Sequence, residues 1–460
     1  MSTMTETVEE PPSYDGYGFE SLVISSNPPT DQPDLPIYTR RPTPPPAAAR
    51  VEQREPKKFA FEIKNRGKTL WATLLVHGDP RLSKVIPTVL EGSNLEGSFA
   101  LSLQSPDAIQ AICIVIKGEI VKGTVPLSRT AFLESKKLLW SSAEGDPQAP
   151  GNTGKNSTLK LKGEYIWPFS IELPKTLSRD GKTFSLPHTF LDRLASFSIQ
   201  YTAELRMVRG KLRPDDRVMC TFGYFSMRQP GAPSMLRQLA YQENSPLLGP
   251  DVDPEGWHTQ PFSAKGTIFS SRMIDIKCML SLATPLSYTR SASIPCAITL
   301  ESNDLQALDL LSSPTTCFVY LERIMQENSE GWRDTHEPCG QAVFWPSTEG
   351  APTDSSRRRQ LMGEIHLKSN LQPSSAVFEF AVEYAVVVFP FQAAGFKPVE
   401  NAPLLRQSVE ITTRYAPGPR QKTHSPPTEM SRNGPIDYYY YSLVIESSTV
   451  RSNRGRSRGG

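Results

Sequence analysis

Lysine is absent from the first 56 residues of this 460-residue chain, and long apolar runs are absent throughout. The most apolar stretch, residues 385–391, is far shorter than the roughly 18 residues that a membrane-spanning helix requires. Residues 1–12 are acidic and lack the apolar core of a signal peptide. We therefore expect a cytoplasmic protein.

Cysteine is scarce and is never paired at the spacing of a zinc or redox site. The six cysteines are Cys113, Cys220, Cys278, Cys296, Cys317 and Cys339. Three of them, Cys278, Cys296 and Cys317, lie in alternating apolar runs, which predicts small buried side chains in a reducing compartment. The six histidines are dispersed as well, so we predict no metal site and no cofactor.

Charge of one sign is not in excess, because 50 Lys and Arg residues balance 48 Asp and Glu residues. Such a chain has no global field that would attract nucleic acid or a membrane surface. Residues 451–460 do form an Arg/Gly/Ser end, whose arginines are Arg451, Arg454, Arg456 and Arg458. An end of this kind can contact phosphates, so RNA binding is an alternative function, although a solvated basic end or a lipid contact is the favoured interpretation.

Local signatures of an enzyme are weak. Residues 151–156 resemble a phosphate-binding loop, but Ala149 and Asn156 break both ends of the G-x-x-x-x-G-K-[ST] pattern. The H-E-x-x-H word of zinc proteases is absent too. We therefore predict that the protein is not an enzyme.

Short runs of alternating apolar and polar residues, punctuated by glycine and proline, fill most of the chain. This period of two is typical of half-buried strands. Clear runs contain Phe59, Phe61 and Ile63; Phe99, Leu101 and Leu103; Ile112, Ile114 and Ile116; Phe197, Ile199 and Tyr201; Ile274, Ile276, Cys278, Leu280 and Leu282; and Ile294, Cys296, Ile298 and Leu300. The pattern predicts an all-β protein of two antiparallel β-sandwiches in tandem.

Composition divides the chain into five parts. Residues 1–57 form a proline-rich tail and residues 416–460 a basic tail, and both are predicted to be disordered because neither can bury a core. Residues 58–228 and 262–415 are the two predicted sandwiches. Proline, glycine and polar residues dominate residues 229–261, which predicts a linker.

Three finer predictions concern single segments. Residues 326–359 are polar and are predicted to be an exposed insertion. Alternation over residues 378–388 predicts one long strand. Phe169, Ile171 and Leu173 are predicted to face a core, within a strand bounded by prolines or lying at a sheet edge.

A tetrapeptide in the first tail, Pro11-Pro12-Ser13-Tyr14, has the PPxY form that WW domains bind. Consecutive prolines favour the polyproline II helix, which docks on an aromatic-lined groove at little ordering cost. A random chain of this composition would contain about 0.12 such words. We predict that Pro11, Pro12 and Tyr14 bind a WW domain; the alternative is proline-rich composition without a partner.

A looser LPxY word, Leu35-Pro36-Ile37-Tyr38, lies in the same tail. Leu35, Pro36 and Tyr38 are candidate residues of a second WW-binding site. A tyrosine in an unstructured linker is the alternative interpretation.

Several stretches of the first predicted sandwich resemble the arrestin family, and in particular the fungal arrestin-like adaptors, or alpha-arrestins. The most specific stretch, GEYIWPFSIELP at residues 163–174, is similar to the family's G-x-x-x-x-P-F-x-F-x-L-P strand. Residues 90–101 and 109–120 resemble the family's early strands, the second with its glycine. The resemblance spans residues 58–228, and over 262–415 it rests on strand pattern and position.

This resemblance implies an adaptor. The sandwiches of such proteins contact a membrane cargo, a transporter or receptor, and a PPxY tail recruits a WW-domain HECT ubiquitin ligase, so that ubiquitination and endocytosis follow. It also implies peripheral recruitment of a cytoplasmic protein to the plasma membrane or endosomes. The lysine-free tail is compatible with a ligase that modifies lysines elsewhere. The alternative is an arrestin-fold trafficking scaffold that acts without a ligase.

Overall fold

Strands dominate the computed structural model, which describes residues 55–64, 69–123, 128–148, 160–210, 213–327, 333–347 and 357–425. The predicted all-β class is confirmed. The predicted tails lie outside the described residues, except for residues 55–57 and 416–425.

The first sandwich contains strands β1 to β11. Their bounds are β1 (Lys57–Lys64), β2 (Leu70–Gly78), β3 (Thr88–Leu90), β4 (Leu95–Asp107), β5 (Ile109–Lys122), β6 (Ser128–Ser141), β7 (Leu161–Ile171), β8 (Thr176–Arg179), β9 (Lys182–Ser185), β10 (Phe197–Arg209) and β11 (Asp216–Phe225). One sheet has the order β1-β2-β4-β7 and the other β3-β11-β10-β5-β6, while β8 and β9 form a hairpin. The buried rings of Trp140 on β6 and Trp167 on β7 lie 6.2 Å apart and connect the two sheets.

The second sandwich follows helix α1 (Met235–Glu243). Its elements are β12 (Trp257–Ile268), β13 (Arg272–Ala283), β14 (Ser287–Thr289), β15 (Ser293–Glu301), α2 (Leu305–Leu311), β16 (Val319–Glu327), β17 (Arg333–Pro346), β18 (Arg358–His366), β19 (Ser375–Val377), β20 (Phe380–Val388), β21 (Phe396–Pro398) and β22 (Leu405–Thr412). The strand order is β14-β22-β20-β16-β17-β18-β15-β13-β12-β21, with β19 paired to β20.

The second sandwich repeats the strand order of the first. The order β12-β13-β15-β18 corresponds to β1-β2-β4-β7, and β14-β22-β20-β16-β17 corresponds to β3-β11-β10-β5-β6. Even an unusual detail recurs, because in each sandwich a three-residue strand, β3 or β14, pairs in parallel with the last strand, β11 or β22. The tandem arrangement is therefore a structural repeat.

One strand distinguishes the two sandwiches. Residues 333–341 of β17 pair with β16, whereas residues 342–346 pair with β18, so β17 belongs to both sheets. The prediction of an exposed insertion over residues 326–359 is therefore wrong for β17. In its polar first half, Glu337 forms an ion pair with Arg323 of β16.

Phe378 is not part of a strand, contrary to the predicted single strand over residues 378–388. Its backbone is left-handed, with φ of 54°, and it forms the turn between β19 and β20. A phenylalanine occupies this turn because its ring contacts Phe184 of the first sandwich, at 5.4 Å between ring centroids.

The predicted faces of β7 are confirmed. Phe169, Ile171 and the following Leu173 are buried, and the residues between them are exposed. Pro168 lies within β7 itself, which is the outer strand of its sheet, where a missing backbone N–H costs no ladder hydrogen bond.

Residues 229–261, predicted to be a linker, contain α1 and the beginning of β12. Ser234 caps α1, its side chain accepting a hydrogen bond from the Arg237 N–H. Only nine residues long, this helix is too short for its periodicity to be recognised in the sequence.

Candidate functional site: the interface between the sandwiches

The predicted WW-binding residues are not among the residues that the structure describes. This holds for Pro11, Pro12 and Tyr14 as well as for Leu35, Pro36 and Tyr38. The four arginines of residues 451–460 also lie outside them. The site described below was not predicted from the sequence, and it lies where the two sandwiches meet.

Equivalent strand ends of the two sandwiches face each other at this interface. Lys122 ends β5 and pairs with Phe197, the first residue of β10. At the corresponding place in the second sandwich, Glu327 ends β16 and pairs with Phe380, the first residue of β20. The rings of Phe197 and Phe380 lie 4.5 Å apart, and Lys122 Nζ lies 3.5 Å from Glu327 Oε1. The interface therefore resembles that of a two-fold dimer, with the charge reversed at one pair of positions.

Further contacts anchor this pair of strand ends. Lys122 Nζ lies 4.3 Å from the centre of the Phe380 ring and 3.7 Å from Glu379. The Ser196 hydroxyl donates a hydrogen bond to Glu327. The charged groups are thus paired across the boundary, and the aromatic rings exclude water from it.

Arg323 on β16 holds a second charged contact. Its Nη2 donates to Asp192 Oδ2 of the first sandwich at 2.6 Å and also to Glu337 on β17. Burial of Arg323 would lower the pKa of its guanidinium, but the nearby acidic groups, Asp192 above all, outweigh this and raise the pKa. Its Nε has no hydrogen-bond partner. Glu322-Arg323, two charged residues inside the apolar run of β16, is the sequence signal that could have indicated this contact.

A cavity of about 400 Å³ lies beside Arg323, between the sandwiches. Arg81, Arg290 and Lys368 also line it, so positive side chains outnumber the lining carboxylates Asp192 and Glu337. Such a lining favours an anionic group over a cation.

His188 forms part of the same wall. Its ring contacts the Phe225 ring edge to face, at 4.9 Å between centroids, and the Arg290 guanidinium also lies 4.9 Å from the centre of the Phe225 ring. Burial, and then the charge of Arg290, lower the pKa of His188 to about 3. The imidazole is therefore neutral at physiological pH.

A separate set of hydrogen bonds joins the end of the first sandwich to the end of the second. Thr413 Oγ1 donates to the Ser226 carbonyl at 2.7 Å, and the Arg414 N–H donates to the Arg228 carbonyl at 2.8 Å. The Arg228 guanidinium lies 3.2 Å from Glu410. All described residues belong to one compact unit.

An open aromatic groove lies away from the interface, on the second sandwich. Phe318, Tyr320 and Phe389 line it, with the rings of Tyr320 and Phe389 in edge-to-face contact at 5.7 Å. All three are half-buried, so each offers part of its ring to solvent. A groove of this kind suits an extended peptide.

The predicted burial of the cysteines is confirmed, because all six are buried, and none forms a disulfide. Burial raises the pKa of Cys278 and Cys317 to about 12 and that of Cys339 to about 11. Among the described residues, no group of three or more His, Cys, Asp or Glu side chains is arranged to hold a metal ion. In the same residues, no helix is long and apolar enough to cross a membrane.

Comparison with known proteins assigns no family to this chain. Neither models of known protein families nor curated protein sequences match it. The resemblance to arrestin-like adaptors therefore stays a prediction from the sequence.

Proposed function

We propose that the protein is an arrestin-like adaptor that links a membrane transporter or receptor to a WW-domain HECT ubiquitin ligase, leading to ubiquitination and endocytosis. The observation that carries this proposal is the word Pro11-Pro12-Ser13-Tyr14, which precedes the two sandwiches. A ligase bound there finds no lysine before Lys57. Lys57 and Lys58 are exposed at the start of β1, and Lys136 and Lys137 are exposed on β6.

The architecture supports a binding role. Two sandwiches of the same strand order are joined by the ion pairs of Lys122 and Arg323, which oppose movement of one sandwich against the other. The aromatic groove beside Tyr320 adds a surface suited to a cargo peptide. Rigid elements present a binding surface at low entropic cost.

The ligase link is tested by titrating the full chain against isolated WW domains in a calorimeter. We expect Tyr14→Ala and Pro12→Ala each to weaken binding by at least about tenfold, because each removes a defining contact of the motif. Tyr17→Ala is the matched control, since Tyr17 lies three residues away in the same tail and outside the motif. Binding by Tyr14→Ala as tight as that of the unchanged chain would refute the link at this site.

The second word is tested in the same titration. Tyr38→Ala is expected to weaken binding by about two- to threefold, since the LPxY form lacks the first proline and with it part of the polyproline II bias. An unchanged affinity would limit ligase binding to the first word.

The scaffold alternative is separated by following the cargo. We expect a membrane protein to copurify equally with the unchanged chain and with Tyr14→Ala, but to be ubiquitinated only with the former. Equal ubiquitination in both would favour a scaffold that acts without this ligase contact.

A further inference from the structure

The chain continues past β22 as an ordered segment, residues 416–425, held against the second sandwich. Arg420 lies over the Tyr415 ring at 3.9 Å, and Gln421 Nε2 donates to Ser293 Oγ on β15 at 2.8 Å. Gly418, with φ of 98°, lies so close to Gln238 of α1 that a Cβ there would stand 2.9 Å from its side-chain oxygen. These contacts hold the part of the segment that precedes Ser425 against β15 and α1.

Glu364 on β18 accepts the hydrogen bonds of the last residues of this segment, His424 and Ser425. It is 2% exposed. Its carboxylate accepts the Ser425 N–H at 2.7 Å, the Ser425 hydroxyl at 2.6 Å and the His424 N–H at 3.0 Å. The sandwich itself supplies the Ser293 hydroxyl at 3.3 Å. A buried carboxylate needs such donors, and most of them come from the segment.

The Ser425 hydroxyl is fully engaged. While its proton is directed to Glu364, His366 Nε2 lies 2.8 Å from the same oxygen. Ser425 as a whole is 9% exposed. The Ser425 hydroxyl is therefore both largely buried and hydrogen-bonded within the docked segment.

We propose that Ser425 is a phosphorylation site of a proline-directed serine kinase, and that its phosphate releases residues 416–425 from the second sandwich. Pro426 follows Ser425 in the sequence, which gives the Ser-Pro word that such kinases take. In the reaction a bond forms between Ser425 Oγ and the γ-phosphorus of ATP, and the bond from that phosphorus to the bridging oxygen breaks. ADP leaves, and the hydroxyl proton passes to the kinase base.

The phosphate cannot occupy the place of the hydroxyl. Esterification removes the proton that Ser425 donates to Glu364 and adds about 1.5 to 2 negative charges next to a buried carboxylate. An imidazole carries at most one positive charge, so the neighbouring His366 cannot cancel the added charge, and a net repulsion remains. The contact between the Ser425 side chain and Glu364 therefore turns from attractive to repulsive.

Burial also controls when the modification occurs. A kinase needs an extended, accessible substrate, so it acts on the fraction of molecules in which residues 416–425 are undocked. The phosphate then prevents redocking and traps that fraction. Tyr241, Pro285 and Tyr288 line one cavity together with Pro419 and Arg420, so undocking opens this cavity to solvent.

The release is tested on the full chain with phosphoserine incorporated at position 425. Hydrogen exchange followed by mass spectrometry is expected to show amide exchange over residues 416–425 at least tenfold faster than in the unmodified chain. The matched control carries phosphoserine at position 105, an exposed serine on β4 that also precedes a proline. Unchanged exchange in the chain modified at 425, or equal acceleration in the control, would overturn the proposal.

A proline-directed kinase and ATP test whether docking of residues 416–425 limits the rate of Ser425 phosphorylation. Glu364→Ala is expected to raise the initial rate of Ser425 phosphorylation about tenfold, because it removes the acceptor without changing the sequence around the serine. Glu172→Ala, an exposed glutamate of the first sandwich, is the control. If Glu364→Ala does not fold, Ser293→Ala removes the partner of Gln421 and is expected to raise the rate about two- to threefold. If the unmodified full chain is phosphorylated as fast as the free peptide 416–430, docking does not protect Ser425, and this part of the proposal is wrong.

Discussion

The two sandwiches share one strand order but close their cores in different ways. In the first, β6 and β7 belong to separate sheets that meet through side chains, Trp140 against Trp167. In the second, the corresponding strands β17 and β18 are hydrogen-bonded, because β17 crosses from one sheet to the other. One topology is thus held together by packing in one half of the molecule and by a continuous hydrogen-bonded ladder in the other.

The two cores differ in composition accordingly. The first contains a dense aromatic cluster: Phe99, Tyr165, Trp167, Phe169, Tyr201, Phe222 and Tyr224. The second is richer in aliphatic residues and contains four of the six cysteines: Cys278, Cys296, Cys317 and Cys339. Among the described residues of the first sandwich, no strand pairs across the two sheets through backbone hydrogen bonds, and packing between large aromatic rings takes the place of these hydrogen bonds.

The largest loss of stability is expected from truncating a side chain at the aromatic contact between the two sheets of the first sandwich. Trp167→Ala should lower the free energy of unfolding by about 3–5 kcal/mol, because it leaves a cavity between the sheets. Ile166→Ala, on the same strand but 70% exposed, should change it by less than about 0.5 kcal/mol. Urea unfolding of both variants measures the difference. Similar losses would show that the ring contact is not what holds the first sandwich.

Next comes the charged contact between the sandwiches. Arg323→Ala should lower the free energy of unfolding by about 2–3 kcal/mol, because Asp192 and Glu337 lose a charged donor at the boundary. Calorimetry should then resolve two transitions where the unchanged chain shows one. Arg217→Ala, which removes an exposed partner of Glu204, should cost less than about 1 kcal/mol and leave one transition. Two transitions in the control as well would contradict this role.

His188 makes the interface sensitive to acid. Its folded-state pKa of about 3 lies below the ordinary value of 6.5, so between these values the unfolded chain binds more protons than the folded one. Stability should therefore fall as the pH drops below 6.5, by about 2 kcal/mol at pH 5. His188→Gln should remove this part of the pH dependence, measured by urea unfolding at several pH values, whereas His77→Gln on β2 should retain it. The same slope in both variants would contradict the assignment.

The smallest effect is a difference in thiol labelling. In native buffer at pH 8 all six cysteines should resist iodoacetamide, because burial keeps them covered and holds the thiols of Cys278 and Cys317 protonated. In the Arg323→Ala variant, whose sandwiches are uncoupled, rising urea should expose Cys113 and Cys220 to labelling before the other four cysteines, since packing alone closes the first sandwich. Simultaneous labelling of all six would indicate that the sandwiches unfold as one.

Alternation alone predicted β4, β5, β13 and β15, because their residues face a core on one side and solvent or a second layer on the other. It failed at β17, where polar residues such as Glu337 alternate irregularly with core residues such as Phe344, and at Phe378, whose ring contacts Phe184 of the first sandwich from a turn. Long-range partners such as Asp192 for Arg323 are 131 residues apart and leave no local pattern. The same holds for Glu364, most of whose hydrogen-bond donors arrive with His424 and Ser425, about 60 residues later in the chain.

The strand β17 also decides how the molecule would bear mechanical load. A pull on β21 at one edge of the second sandwich is carried to β14 at the other edge through an unbroken row of backbone hydrogen bonds. In the first sandwich the same pull must cross from sheet to sheet through side-chain contacts, which slide more easily than a strand ladder shears. Tension applied across the chain should therefore open the first sandwich while the second stays closed.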